Sequence, residues 1–294
     1  TFGLNWAYNQ AVFFRYDVCY FSLEMPYEQC RRILYSIHSM HAKFAEIRVR
    51  LGLQKERGPS TGLDYEKIRD GLLSDAEELF LQEHVVPDFN SGEYGKIHIE
   101  VADPNKTDFT VSDMRAKAEL IYSSSPFAVL FADHAGLFSS RNRYGSTTES
   151  LNEVLRDLKR LAMNFNRGAG MAVVAFFQIS REGFKAAEKA AEKSNGDYKG
   201  GPYNLTHLSY ANEAERSSDV VTASFVDAEL RSQNRVLFQC LKSRDNAPFA
   251  NFFARVIWGS RRIFTSHEVP MMTGRGDNSP PTASSFAEIS EILG

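Results

Sequence analysis

Three apolar runs of this 294-residue chain stop on a polar side chain: residues 18–23 on Glu24, residues 127–132 on Asp133 and residues 171–177 on Gln178. In an open α/β sheet the ligand crevice lies beyond the carboxyl ends of the strands, so these three side chains are candidates for chemistry. Two carboxylates and an amide suit a magnesium nucleotide, in which one acid holds the metal, another orients water and a neutral donor senses the terminal phosphate. Each residue also has an ordinary reading. Glu24 can be a solvated acid at a helix start, favoured by the dipole; Asp133 a turn or cap residue; Gln178 a buried amide in a structural hydrogen bond. The loop that should cradle the phosphates does not occur in these 294 residues, which contain no Gly-x-x-x-x-Gly-Lys-Ser/Thr.

Periodicity predicts the elements that must hold these residues. A helix over residues 1–14 precedes the strand at 18–23, and a second helix over 27–44 has Pro26 at its first turn. Residues 48–64 are polar and contain glycine; helices near 65–72 and 75–89 complete a helical insertion before a strand at 96–101. After a helix over 113–122, the run at 127–132 has the near-continuous apolar character of a strand covered on both faces. Leu151, Val154, Leu155, Leu158, Leu161 and Ala162 give residues 148–165 the spacing of an amphipathic helix. Alternating strands and helices predict a mainly parallel sheet with right-handed crossovers. Beyond Gln178, an alanine-rich charged helix over 182–193 and a glycine-rich stretch over 195–203 read as a mobile excursion. Strand-like runs at 220–226, 235–241, 249–258 and 261–266 then finish the sheet with antiparallel hairpins. This gives one α/β domain over 1–268 and a flexible tail over 269–294.

Composition narrows the partners. A hydrophobic share of 43% is ordinary for a globular domain, and the net charge of −3 gives no global basic signature. Nucleic-acid contact therefore has to come from a local patch or from an assembly that concentrates basic residues. Cys19, Cys30 and Cys240 are odd in number and far apart, which predicts reduced thiols in a cytosolic protein. No apolar segment reaches the length of a membrane span and no signal-peptide pattern occurs, so a soluble, intracellular protein with no membrane partner is expected. His38 and His41 lack a matching ligand cluster and read as surface or core histidines rather than metal ligands.

Six segments carry a more specific signal. They are Phe21-Ser-Leu-Glu-Met25, Val111-Ser-Asp-Met-Arg-Ala-Lys-Ala118, Ala128-Val-Leu-Phe-Ala-Asp133, Leu158-Lys-Arg-Leu-Ala162, Phe177-Gln-Ile-Ser-Arg181 and Glu213-Ala-Glu-Arg-Ser-Ser-Asp219. In order and spacing the chain resembles the RecA-like motor domain of DnaB-type replicative DNA helicases of bacteria or phages. The resemblance implies a RecA-like phosphate-loop NTPase core, a mainly parallel sheet with helices on both faces and C-terminal antiparallel strands. It assigns Glu24 to water activation, Asp133 to Mg2+ through water, and Gln178 to phosphate sensing. Lys242 and Arg244 resemble the family's Lys-x-Arg finger, which reaches a neighbouring subunit's ATP; the planar fork of arginine suits that role. Without the other motifs the pair reads as an exposed basic hairpin.

The same resemblance implies ATP and Mg2+ as cofactors, a homo-hexamer moving 5′ to 3′ on single-stranded DNA, and contacts with a primase and a helicase loader. It places the protein in the cytoplasm of a bacterial cell or a phage-infected host. Thr1-Phe-Gly-Leu-Asn5 resembles the helix just after the family's phosphate loop. The chain is therefore expected to be a fragment that starts directly downstream of that loop, from a partial reading frame or behind an intein. His134 and Ala135, and Tyr210-Ala-Asn212, depart from the family's usual residues and bear on coupling.

Two loops are expected to face DNA. One holds Arg141 and Arg143; the other holds Lys185, Lys189 and Lys193, which share a helical face. Six copies around a ring would multiply that modest charge. Glu182, Glu188 and Glu192 interleave with the lysines, so a solvated alanine-rich helix is an equal reading. The leading expectation is an ATP-driven helicase motor; a RecA- or KaiC-like recombinase or ATPase is the alternative, and a catalytically silent assembly module is a third reading for these residues alone.

Overall fold

The computed structural model describes residues 2–55, 60–102, 108–142, 146–193, 201–207 and 211–264. Helix α1 (Phe2–Val12) leads into β1 (Val18–Ser22), which is buried at every position. Helix α2 (Tyr27–His38) begins after Pro26. The helical insertion then comprises α3 (Ala45–Arg50), α4 (Tyr65–Asp70), and α5 (Asp75–Phe80), which continues through a π-helical turn at Leu81–Val85 into α6 (Val86–Phe89). Strand β2 (Ile97–Val101), helix α7 (Val111–Ser124), β3 (Val129–Asp133), α8 (Thr147–Gly168) and β4 (Ala172–Ala175) follow. Helix α9 (Arg181–Lys193) and α10 (Ala211–Ser217) precede β5 (Val220–Phe225), α11 (Ala228–Ser232), β6 (Arg235–Ser243), β7 (Phe252–Ile257) and β8 (Arg262–Phe264).

Strands β1 to β4 form a parallel sheet in the order β2-β1-β3-β4. One face packs on α7 and α8 through Met114, Ala118, Val154, Leu155 and Leu158; the other packs on α1 and α2 through Leu4, Tyr8, Ile33 and Ile37. Burial on both faces explains the unbroken apolar runs of β1 and β3. Helix α7 starts on a capping box in which the Thr110 hydroxyl accepts from the Asp113 amide and the Asp113 carboxylate accepts from the Thr110 amide.

The antiparallel strands do not finish this sheet, as the periodicity suggested. They form a second sheet, β5-β6-β7-β8, with its own small core around Phe225, Leu230 and Leu237. A second correction concerns the helix expected over 27–44. It stops at His38, because the Ser39 hydroxyl turns back to donate to the Ser36 carbonyl and accepts from the Leu63 amide. Fully buried Arg48 then fixes the break, donating to the carbonyls of Ser39 and His41. Residues 48–50, read as part of a polar loop, are the last turn of α3.

His38 is a core residue. Its ring bonds the Tyr8 hydroxyl and the Asp88 carboxylate, and burial lowers its pKa so that it stays neutral. All three cysteines are free, with Cys19 and Cys30 buried and Cys240 half-buried. Among the described residues no helix is long and apolar enough to cross a membrane. The tail at 269–294 lies outside the described residues.

Candidate active site at the strand ends

The parallel register sets Ser22, the last residue of β1, beside Asp133, the last residue of β3. Beyond these ends the chain is stitched strand to strand. The Leu23 amide donates to the Asp133 carbonyl at 2.7 Å, the Phe176 amide to the Ala132 carbonyl at 3.0 Å, and the Ala135 amide to the Phe176 carbonyl at 2.8 Å. Ser22 closes the turn that carries Glu24, because its hydroxyl accepts from the Met25 amide and donates to the Met25 carbonyl. Glu24, Asp133 and Gln178 thus extend from the carboxyl ends of neighbouring strands, where a parallel sheet offers its ligand crevice.

Their surroundings differ. Asp133 is half-buried and accepts a hydrogen bond on Oδ2 from the Tyr20 hydroxyl. Burial first, and the Asp133 charge second, push the Tyr20 phenol well above its ordinary value, so it remains a donor; the Glu24 charge adds to the same shift. Glu24 and Gln178 are exposed. Glu24 stands in solvent beside the turn that Ser22 closes, an exposure that a solvated acid at a helix start shares. Exposure removes the reading of Gln178 as a buried structural amide.

The first turn of α1 approaches this edge closely. A Cβ at Gly3 would stand 2.7 Å from the Phe176 ring and 2.8 Å from the Tyr20 oxygen, so a larger residue there would have to displace one of these rings. His134, next to Asp133, keeps a buried Nδ1 with no hydrogen-bond partner among the described residues. Tyr20 was not singled out as functional from sequence, and His134 was named only as a departure from the family's usual residues. Tyr20 was legible in principle: it pairs in register with Phe131, and the two-residue alternation places it on the same sheet face as Asp133.

Lys242 and Arg244 are not brought to this edge. They sit at the carboxyl end of α10, where Lys242 Nζ donates to the carbonyls of Glu215 and Ser218. Arg244 donates to Asp219 Oδ1 at 2.9 Å and to the Arg216 carbonyl at 2.8 Å. Cations there satisfy carbonyls that the helix leaves unpaired and complement its dipole. Lys159 also binds Asp219, at 2.6 Å, and the two cations hold that carboxylate below its ordinary pKa, Lys159 contributing most.

The expected DNA-facing residues divide. Arg141 is bound to Asp157 and lies near Glu153, both on α8, so it braces its own loop. Arg143 lies outside the described residues. Lys185, Lys189 and Lys193 are exposed on α9, opposite the buried face of Gly183, Ala187 and Ala191, and no ion pair involves them among the described residues. The glycine-rich residues 195–200 are likewise outside the described set.

The donor set fits a magnesium nucleotide. Among the described residues no group of three or more His, Cys, Asp or Glu side chains could cage a metal. Mg2+ ordinarily takes one or two carboxylates, water and substrate phosphates instead. Asp133 has one oxygen engaged by Tyr20 and a second with no hydrogen bond among the described residues.

The chain is similar to two solved structures. One, described as a DnaB-like replicative helicase and its interactions with primase, superposes with a TM-score of 0.62 at 17% identity, covering 90% of this chain and 56% of that one. The other, described as an ATPase domain, gives 0.63 at 18% identity, covering 90% of this chain and 81% of that one. The chain therefore spans little more than half the length of the first. These likenesses establish a RecA-like helicase fold. No curated protein matches the sequence. The model of the DnaB-like helicase C-terminal domain matches residues 1–223, and the chain belongs to that family.

Proposed function

We propose that this chain is the motor part of an ATP-driven replicative DNA helicase, in which ATP held between ring subunits powers movement along single-stranded DNA and duplex unwinding. The observation that carries the reading is the stitched edge: two carboxylates on adjacent strand ends, one anchored by a tyrosine and half-buried, the other free in solvent. Such a pair divides labour. Asp133 is fixed in orientation by Tyr20 and suits holding Mg2+, which would neutralise developing phosphate charge when bound. Glu24 is free to accept a proton from the attacking water. Gln178 offers an amide to the terminal phosphate from β4's end. Lys242 and Arg244 are held at a separate place by α10 and Asp219, and in this reading they serve the ATP of a neighbouring subunit in a homo-hexamer. Lys185, Lys189 and Lys193 are the residues offered to DNA phosphates. Contacts with a primase and a loader, and a cytoplasmic setting, belong to the same reading.

The test uses a polypeptide that joins these residues to a phosphate loop. Glu24→Gln should retain ATP binding and lose hydrolysis by roughly 10²- to 10⁴-fold, the usual worth of a general base. Unchanged turnover would remove Glu24 from its role. Residues 1–294 alone, which contain no phosphate-loop motif, should show no sustained ATP turnover; robust activity would place the phosphate-binding element elsewhere in the chain.

A further inference from the structure

Strand β8 stands last in the order of the antiparallel sheet, so among the described strands its outer edge has no partner. The Val256 amide is given to the Asn234 carbonyl, on the β6 side of β7. Its register partner Ile263 therefore turns its own backbone groups away from β7, and Arg261, two residues earlier, does the same. One side chain takes both. Asn5 of α1, only 2% exposed, accepts on Oδ1 from the Ile263 amide at 2.8 Å and donates from Nδ2 to the Arg261 carbonyl at 2.7 Å. Its amide group stands where the backbone of a next strand would pair.

Arg262 reinforces the contact. It is as deeply buried as Asn5, and its Nη1 donates to Asn5 Oδ1 at 3.3 Å and to Asn9 Oδ1, one helical turn further on, at 2.9 Å. Its guanidinium lies over the ring of Tyr8 on the same helix, 5.2 Å from the centroid. Apolar packing alone is non-directional and would let a helix rotate or slide. Buried hydrogen bonds are directional: a slip of one residue moves a helix by about 1.5 Å and would leave these polar groups without partners. Rotation and axial position of α1 are thus set by the edge of the second sheet.

That setting reaches the strand-end site within one turn. Gly3, two residues before Asn5, lies against the hydroxyl of Tyr20, the group that donates to Asp133. Phe2 meets the ring of Phe176, whose backbone ties the chain beyond β4 to Ala132 and Ala135. We propose that Asn5, clamped by Arg262, is a positioning residue for this site: the edge of β8 fixes the first turn of α1, and that turn holds the Tyr20 hydroxyl where it orients Asp133. The second sheet is then an alignment fixture for a site carried by the first. The chemical consequence, for a magnesium nucleotide, rests on the helicase reading; the mechanical link does not.

The test has one arm for each. Asn5→Leu keeps the side-chain volume and removes all three bonds, whereas Asn5→Asp keeps the acceptor for Ile263 and Arg262 and loses only the bond to Arg261. In the 294-residue chain without nucleotide, Asn5→Leu should speed hydrogen exchange at Ile263 and, across the molecule, at Leu23, whose amide donates to the Asp133 carbonyl. Both changes should exceed any at Leu130, in the centre of β3. In a protein that joins these residues to a phosphate loop, Asn5→Leu should raise the Mg2+ needed for half-maximal nucleotide binding about tenfold, the lower end for losing an outer-shell partner, while kcat at saturation stays within about twofold. Asn5→Asp should restore most of that loss. Leu230→Ala, which damages the core of the second sheet away from α1, should leave the Mg2+ requirement unchanged. If Asn5→Leu does not fold, Asn9→Ala removes one acceptor of the same guanidinium and should shift the requirement in the same direction by a smaller factor. Faster exchange at Ile263 alone, or an equal Mg2+ shift in Leu230→Ala, would overturn the inference. A parent protein that binds no nucleotide would refute the helicase reading instead, and the exchange at Leu23 would still decide this one.

Discussion

The two sheets solve the same problem, placing charged groups precisely, in opposite ways. In the parallel sheet β1 is buried throughout and β3 at its centre, so no charge can sit within those strands and polar chemistry is confined to their ends. In the antiparallel sheet burial alternates along β5 and β7, and cations lie within the strands themselves. Arg235 stacks over Phe253 at 3.7 Å and Arg255 over Phe264, each using an aromatic face on the neighbouring strand. The doubly covered sheet fixes where a carboxylate stands through backbone register. The antiparallel sheet, buried on both faces only at its centre in β6, fixes where a cation stands through side-chain contacts, which are cheaper to rearrange.

That contrast predicts different penalties for similar damage. Phe131 is fully buried between the two helical layers and contacts Trp6, Tyr20 and Phe176. Phe131→Ala should cost about 3–5 kcal/mol of unfolding free energy in urea titrations, the range for deleting a core aromatic. Val256, buried in β7, belongs to a small cluster with Val236, Phe238 and Ala254. Val256→Ala should cost about 1.5 kcal/mol, set by the methyl groups lost. Equal penalties would show that the second sheet is packed as tightly as the first.

The polar anchors sharpen the same point. Tyr20→Phe removes the sole hydroxyl donor on Asp133 among the described residues and should cost about 1.5 kcal/mol, the low end for a bond to a charged acceptor, because Asp133 is only half-buried. The same variant should weaken Mg2+-dependent nucleotide binding in a phosphate-loop-bearing protein, since the carboxylate loses its fixed orientation. A stability loss without any change in Mg2+ dependence would make Tyr20 a packing residue only.

Much of this was readable from residue order. The apolar runs ending on Glu24, Asp133 and Gln178 identify the strands and the crevice edge, because a doubly buried strand cannot hide a polar side chain except at its end. What escaped depends on contacts between distant residues. The stop at His38 comes from Ser39 meeting Leu63 and from Arg48 folding back, and no helical periodicity reports such a bond. Glu24 stands beside a turn closed by Ser22, a local bond that competes with strand continuation. The separation of β4 from β5 was likewise invisible, since edge pairing is decided by which strands meet and not by the pattern within either. The lysines of α9 keep both readings: they are exposed and, among the described residues, in no ion pair, as either a DNA-facing patch or a solvated helix would be.

The smallest expected effect tests how loosely the antiparallel sheet holds its cations. Asp219 is half-exposed and binds both Lys159 and Arg244. Exposed ion pairs are worth little, so Asp219→Asn should change stability by less than about 1 kcal/mol. Its sign with pH is fixed by the depressed pKa: the carboxylate's contribution is present above the ordinary aspartate value near 3.8 and is lost as pH falls through its lower folded value. The stability difference between Asp219→Asn and the parent should therefore shrink on acidification below that point. Arg244 would keep its bond to the Arg216 carbonyl but lose its charged partner, freeing the guanidinium to swing. In a ring, that freedom should alter ATP turnover between subunits more than it alters folding. A turnover unchanged alongside unchanged stability would mean that Asp219 does not hold Arg244 for any neighbour's phosphate, and that register alone, without this side-chain latch, sets the position of the basic hairpin.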